Sequence, residues 1–108
     1  MGLCFFSGAG VTFDLGHANS STAAQAGYPA ERFARMLAGR MVGAHIYDRE
    51  TDVHHAPATI DSIAPTLDVL LDWSCDWWTI ELTRPGDVLH TARLLNDYLD
   101  RALEQRHA

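Results

Sequence analysis

The sequence predicts an α/β fold: a three-stranded parallel sheet made from three successive strand–helix units. Two observations carry this. Three short apolar runs alternate with three helical patterns along the 108 residues, an order that implies parallel strands joined by right-handed crossovers. The strands also separate their residues by face. One face is uniformly apolar, and the other mixes small and polar side chains near the carboxyl ends. Such a face fits the interior mouth of a barrel better than an open doubly wound sheet.

The runs are Val11–Asp14, Met41–Tyr47 and Trp77–Leu82, each rich in β-branched or aromatic residues and bounded by Gly, Ser or Asp. Side chains alternate along a strand. If Asp14, His45 and Glu81 share a face, Thr12, Met41, Gly43, Trp77 and Thr79 lie with them. Val11, Phe13, Val42, Ala44, Ile46, Trp78, Ile80 and Leu82 then form the face that helices cover.

The first helix is expected to begin near Pro29, with Phe33, Met36 and Leu37 as its apolar stripe and Gly39 as its stop. The second opens with Asp61 or Ser62 as N-cap and Pro65 in its first turn, where a missing N–H is harmless. Ile63, Leu67, Leu70 and Leu71 line its inner face. The third follows Pro85-Gly86 with Asp87 as N-cap. Its stripe at helical spacing is Val88, Ala92, Leu95, Leu99 and Leu103. Trp73, Trp77 and Trp78 read as packing where the second helix meets the last strand.

A chain of this length supports one domain, spanning residues 1–108. With 47% hydrophobic and 20% charged residues it can build a core. The net charge of −6 and the absence of any basic run count against a nucleic-acid surface. Cys4 and Cys75 are far apart and outside any CxxC pattern, as expected of reduced thiols in the cytoplasm. The amino-terminal run lacks the basic leader of a signal peptide, and no stretch reaches the length of a membrane span. Asn19-Ser20-Ser21 matches a glycosylation sequon, read as accidental without a secretory signal.

Each strand ends in a side chain able to ligate a metal: Asp14, His45 and Glu81. Carboxylate oxygen with imidazole nitrogen suits divalent Mn, Zn, Co or Mg. In a (β/α)₈ barrel, reactive residues come from the carboxyl ends of different strands. The bland alternative is three unrelated polar residues closing strands. His17 follows Asp14 by three positions, and Asp52-Val-His54-His55 follows the second strand. A histidine pair in a polar loop is commonly solvated. Arg49 could reach a phosphate or hydroxyl group, or simply face water.

Asp14-Leu-Gly-His17-Ala-Asn19 resembles the D-T-G-H-A-N segment of sugar phosphate isomerases/epimerases. These are xylose isomerase-like TIM barrels, related to endonuclease IV. His45-Ile-Tyr-Asp48 is similar to the family's H-(hydrophobic)-x-D strand end. Asp52-Val-His54 is similar to its D-x-H loop, and Ile80-Glu81 to its final (hydrophobic)-E strand. The four motifs stand in family order over roughly residues 8 to 105. The resemblance implies the last three βα units of a TIM (β/α)₈ barrel. It makes Asp14, His45 and Glu81 ligands of a catalytic divalent metal, with Glu81 also exchanging a proton beside a carbonyl. His17 would contact substrate oxygens or a second metal, and Asp52 and His54 would join it in the multinuclear branch. A metal that polarises the carbonyl and stabilises an enediolate, with a carboxylate moving the proton, gives isomerase or epimerase chemistry on a sugar or sugar phosphate.

Two departures stand out. Ala56-Pro-Ala-Thr59 occupies the place of the family's glycine-rich G-x-G turn. About five further βα units expected upstream are absent, with another metal-binding glutamate. Three readings follow: part of a sugar isomerase or epimerase, part of an endonuclease IV-like repair enzyme, or an inactive remnant. The isolated chain is expected to be catalytically silent and to self-associate or pair with an amino-terminal partial barrel.

Overall fold

The computed structural model describes residues 10–20, 27, 29–37 and 39–107. Cys4 and the apolar amino-terminal run lie outside the described residues. The elements in chain order are β1 (Val11–Asp14), α1 (Leu15–Ser20), α2 (Ala30–Met36), β2 (Met41–Ile46), β3 (Arg49–Glu50) and β4 (His54–His55). A 3₁₀ turn (Ile60–Ser62), α3 (Ala64–Asp72), β5 (Trp78–Ile80) and α4 (Pro85–His107) complete them. The molecule is a mixed α/β fold whose main sheet has the order β1-β2-β5, both pairings parallel. No helix among the described residues is long and apolar enough to cross a membrane.

One face of the sheet makes the core. Val11, Phe13, Ala44 and Ile46 are all at most 2% exposed and join Ala30, Ala34, Leu67, Leu70 and Leu95 from the helices in one cluster. Burying a side chain such as Phe13 contributes about 1.5–3 kcal/mol. Among the described residues, no helix covers the opposite face. Thr12, Val42, Trp77 and Thr79 are exposed there.

The face assignment holds except at the start of β2. Val11 pairs with Met41, but Thr12 pairs with Gly43, so Val42 is an extra residue in a bulge. A bulge reverses alternation on one side of itself. Met41 therefore packs against the core, while Val42, expected inside, is 60% exposed. The third strand is also shorter than its apolar run, and Trp77 (71% exposed) lies outside it, over Gly43. Of the three tryptophans only Trp78 packs on the core, its indole N–H donating to the Cys75 carbonyl at 2.7 Å. Trp73 is exposed.

The helices keep most of their expected inner residues. In α2, Phe33 and the C-cap Leu37 meet the core together with the small Ala30 and Ala34, whereas Met36 faces water. After Leu37, Gly39 adopts φ 85°, a left-handed turn that glycine takes without steric penalty. Neither Asp61 nor Ser62 caps α3. The two belong to the 3₁₀ turn, Ser62 donates back to the Thr59 carbonyl, and the fully buried Ile63 stands at the N-cap. Val69 is buried in α3 where Leu71 was expected. The helix ends in a Schellman pattern: Cys75 N–H bonds the Leu70 carbonyl and Ser74 N–H the Leu71 carbonyl, with Ser74 at φ 58°.

In α4, Asp87 is a first-turn residue rather than the cap, because the Val88 N–H already bonds the Arg84 carbonyl. Thr91, Leu95 and Ala102 are buried, with Tyr98 packed against the core, so the inner stripe rotates away from Leu103, which is 46% exposed. Tyr98 can sit inside because its hydroxyl finds a partner, donating to Asp68 of α3.

Candidate metal centre

Asp14 is the last residue of β1 and the residue before α1. Its Oδ1 accepts the backbone N–H of His17 at 2.8 Å, the bond of an N-cap to the third helical residue. Capping fixes the carboxylate and leaves Oδ2 facing His45. The parallel register sets Asp14 directly beside His45. Glu81 lies one residue past β5, held by its N–H to the Ile46 carbonyl at 3.2 Å.

These placements bring the three side chains to one point at the carboxyl edge. One ligand atom from each of Asp14, His45 and Glu81 lies within 4.8 Å of the others, all partly buried. His45 Nδ1 is 3.8 Å from Asp14 Oδ2 and in contact with Glu81 Oε2. Glu81 Oε2 is shut from solvent and accepts no hydrogen bond among the described residues, although His45 Nδ1 abuts it. Two carboxylate oxygens and an imidazole nitrogen, gathered within reach of one point, form a set that fits a divalent cation.

Beside it is a second cluster that the sequence did not reveal in full. β3 and β4 form a small antiparallel hairpin that pairs Glu50 with His54. Glu50 Oε2 lies 3.5 Å from His17 Nδ1 and 3.8 Å from His54 Nε2, and Tyr47 donates its hydroxyl to the same oxygen at 3.0 Å. That hydrogen bond, followed by the neighbouring His17 and His54, holds Glu50 below the usual carboxylate range against a smaller desolvation effect. Ser20 explains why Glu50 is there. Its hydroxyl donates to the Gly16 carbonyl and accepts the Glu50 N–H at 2.6 Å, docking the hairpin on α1. Asn19 adds a bond from its amide to the Asp48 carbonyl.

His54 is held on three sides. Its ring stacks on Tyr47 with centroids 4.0 Å apart, and Nδ1 lies 2.9 Å from the Glu81 carbonyl. A carbonyl only accepts, so Nδ1 carries a proton, while Nε2 faces Glu50. Asp52 is elsewhere. Its Oδ1 accepts the Thr51 hydroxyl at 2.8 Å, which lowers its pKa, and Thr51 also bonds His55 Nε2 at 2.9 Å. The structure thus gathers His17 and His54 around Glu50 and leaves Asp52 and His55 tied to each other through the exposed turn. The path after the hairpin is pinned from α4, where His90 Nε2 donates to the Pro57 carbonyl at 2.8 Å.

Among curated proteins, the chain is similar to an uncharacterized protein of Methanocaldococcus jannaschii, with 34% identity over 91 residues. The match covers 83% of this chain and 38% of the relative, so the chain spans well under half of that protein's length. No protein-family model matches the chain, and no solved structure does.

Proposed function

We propose that the chain supplies three βα units of a metal-dependent TIM barrel of the sugar isomerase/epimerase kind. The supporting observation is the convergence of Asp14, His45 and Glu81 from the ends of three parallel strands. A second fact agrees in scale. Ninety-one matched residues making up 38% of the relative give it a length of about 240, close to the roughly 250 residues typical of a complete barrel. The uncovered sheet face is the face an opposite barrel wall would fill.

Asp14, His45 and Glu81 would hold the divalent cation, which when bound would polarise a substrate carbonyl. The chain's own contribution is to position and to move a proton. Asp14 is rigid because one of its oxygens caps α1. The second oxygen of Glu81, Oε1, lies 3.9 Å from His54 Nδ1 and is the candidate atom to take a proton from the carbon beside the carbonyl. His17, Glu50 and His54 offer a polar wall for sugar hydroxyls. A complete site needs the remaining strands, so the isolated chain is expected to bind a cation but not to turn over an aldose or ketose.

The second cluster favours one other reading, an endonuclease IV-like barrel, because His17 and His54 share a carboxylate as they would in a multinuclear centre. The charge of −6 weighs against a DNA surface on this portion. Calorimetric titration of Mn²⁺ or Zn²⁺ tests the leading reading. His45→Ala should weaken binding by about 100-fold, on the order of 2.7 kcal/mol, and His55→Ala by less than about threefold. Equal losses would move the site to the hairpin. Salt-sensitive retention of an abasic-site duplex would favour the endonuclease reading.

A further inference from the structure

Tyr47 is fully buried, yet it follows β2 directly into the polar end of the sheet. Its ring is sandwiched. On one side it stacks parallel to His54, at an interplanar angle of 8°. On the other it lies against Gly16, where a Cβ would fall 2.1 Å from a ring carbon. That contact gives Asp14-Leu-Gly-His17 a physical reason for its glycine. A side chain at Gly16 and the Tyr47 ring cannot occupy the same space.

The sandwich aims the hydroxyl between the two clusters. It donates to Glu50 Oε2 at 3.0 Å, and the ring packs on Gly16, in the turn that Asp14 caps. Burial first, then the nearby Asp14 and Glu50 carboxylates, raise the phenol above its ordinary range. The phenol thus bonds the carboxylate of one cluster while its ring leans on the helical turn that holds the carboxylate of the other. We propose that Tyr47 is a positioning residue: clamped between His54 and the turn capped by Asp14, and bonded to Glu50, it fixes the direction in which both carboxylates point. The proposal rests on the cation reading of Asp14, His45 and Glu81. A phenol cannot follow a carboxylate that swings, because its own ring is clamped between Gly16 and His54. Asp14 is therefore restrained at Oδ1 by the α1 cap and from its side by Tyr47, so that a cation meets an oriented ligand. Groups that orient metal ligands in this way commonly affect affinity by about 10–100-fold.

Co²⁺ titration of the full chain, read by visible absorption, tests this. Tyr47→Phe keeps the ring, its stack on His54 and its packing on Gly16, and removes only the hydroxyl. Cobalt affinity should fall about tenfold, with a change in the shape of the visible bands that report ligand geometry. The melting curve of the metal-free variant should remain cooperative. Gly16→Ala approaches the same hydroxyl from behind by displacing the ring with every polar group intact, and should produce the same loss. Unchanged affinity and bands in either folded variant overturn the positioning role while leaving the cation site standing. A wild-type chain silent to Co²⁺, Mn²⁺ and Zn²⁺ overturns the cation reading, and the Tyr47 role with it.

Discussion

The two faces of the three-stranded sheet use the same strands for opposite ends. On the helix-covered face, Val11, Phe13, Ala44 and Ile46 are closed off from water. On the other, Thr12, Val42, Trp77 and Thr79 are exposed, and the row ends in Asp14, His45 and Glu81. The first face supplies the folding free energy and the second carries the cluster of polar side chains. Alternation along a strand forces this division, since every residue that points to the helices turns its neighbour toward the open side.

The largest expected effect breaks the covered face. Phe13→Ala removes a side chain with no solvent exposure and should cost about 3–5 kcal/mol, enough to abolish cooperative urea unfolding in a chain of this size. Thr12→Ala, the next residue, should stay within about 0.5 kcal/mol of wild type. Comparable losses at the two positions would mean that the open face is covered in solution and that the division between faces is absent.

A second experiment sharpens the comparison on the open side. Val42 is 60% and Trp77 71% exposed, and among the described residues no helix covers their face and β1 and β5 are the edge strands. Exposed apolar surface next to unpaired edges favours association. Sedimentation of the isolated chain should give a mass above the monomer, and Trp77→Arg should weaken the self-association about tenfold, or 1.4 kcal/mol. A monomeric wild type would show that three strands are self-sufficient.

Much of this division was legible in the sequence. The three parallel strands followed from strand–helix alternation, and the convergence of Asp14, His45 and Glu81 from period-two alternation and from polar residues ending each run. What escaped depended on single residues. The bulge at Val42 leaves no trace because Met41-Val-Gly-Ala44 is apolar throughout, so parity could not be read across it. In α4, Tyr98 becomes a good interior residue only once Asp68 stands opposite the phenol, and nothing local marks Thr91 as buried. Glu50 went unnoticed because nothing local marks it. Its place depends on Ser20, thirty residues earlier, and on Tyr47. Asp52, which has the better motif, has its oxygen taken by the adjacent Thr51.

The smallest expected effect lies on the covered side, where α3 and α4 are tied by Tyr98 to Asp68 and Arg106 to Asp72. Burial, then the Asp68 carboxylate, raises the Tyr98 phenol above its ordinary range. The fold therefore favours the protonated form. An unfolded tyrosine ionises near pH 10, so between that pH and the raised native value the native chain holds a proton that the unfolded chain has lost. Stability from this group is fully present below about pH 10 and declines as pH rises further. Because solvent reaches the pair, the decline should be well under 1 kcal/mol per pH unit. Tyr98→Phe removes both the bond and the titration. The variant should be about 1 kcal/mol less stable than wild type at pH 7, and the gap should narrow in denaturant melts above pH 10. A gap that stays constant to pH 11 would show that the hydroxyl contributes through packing alone, with no preference for its protonated form.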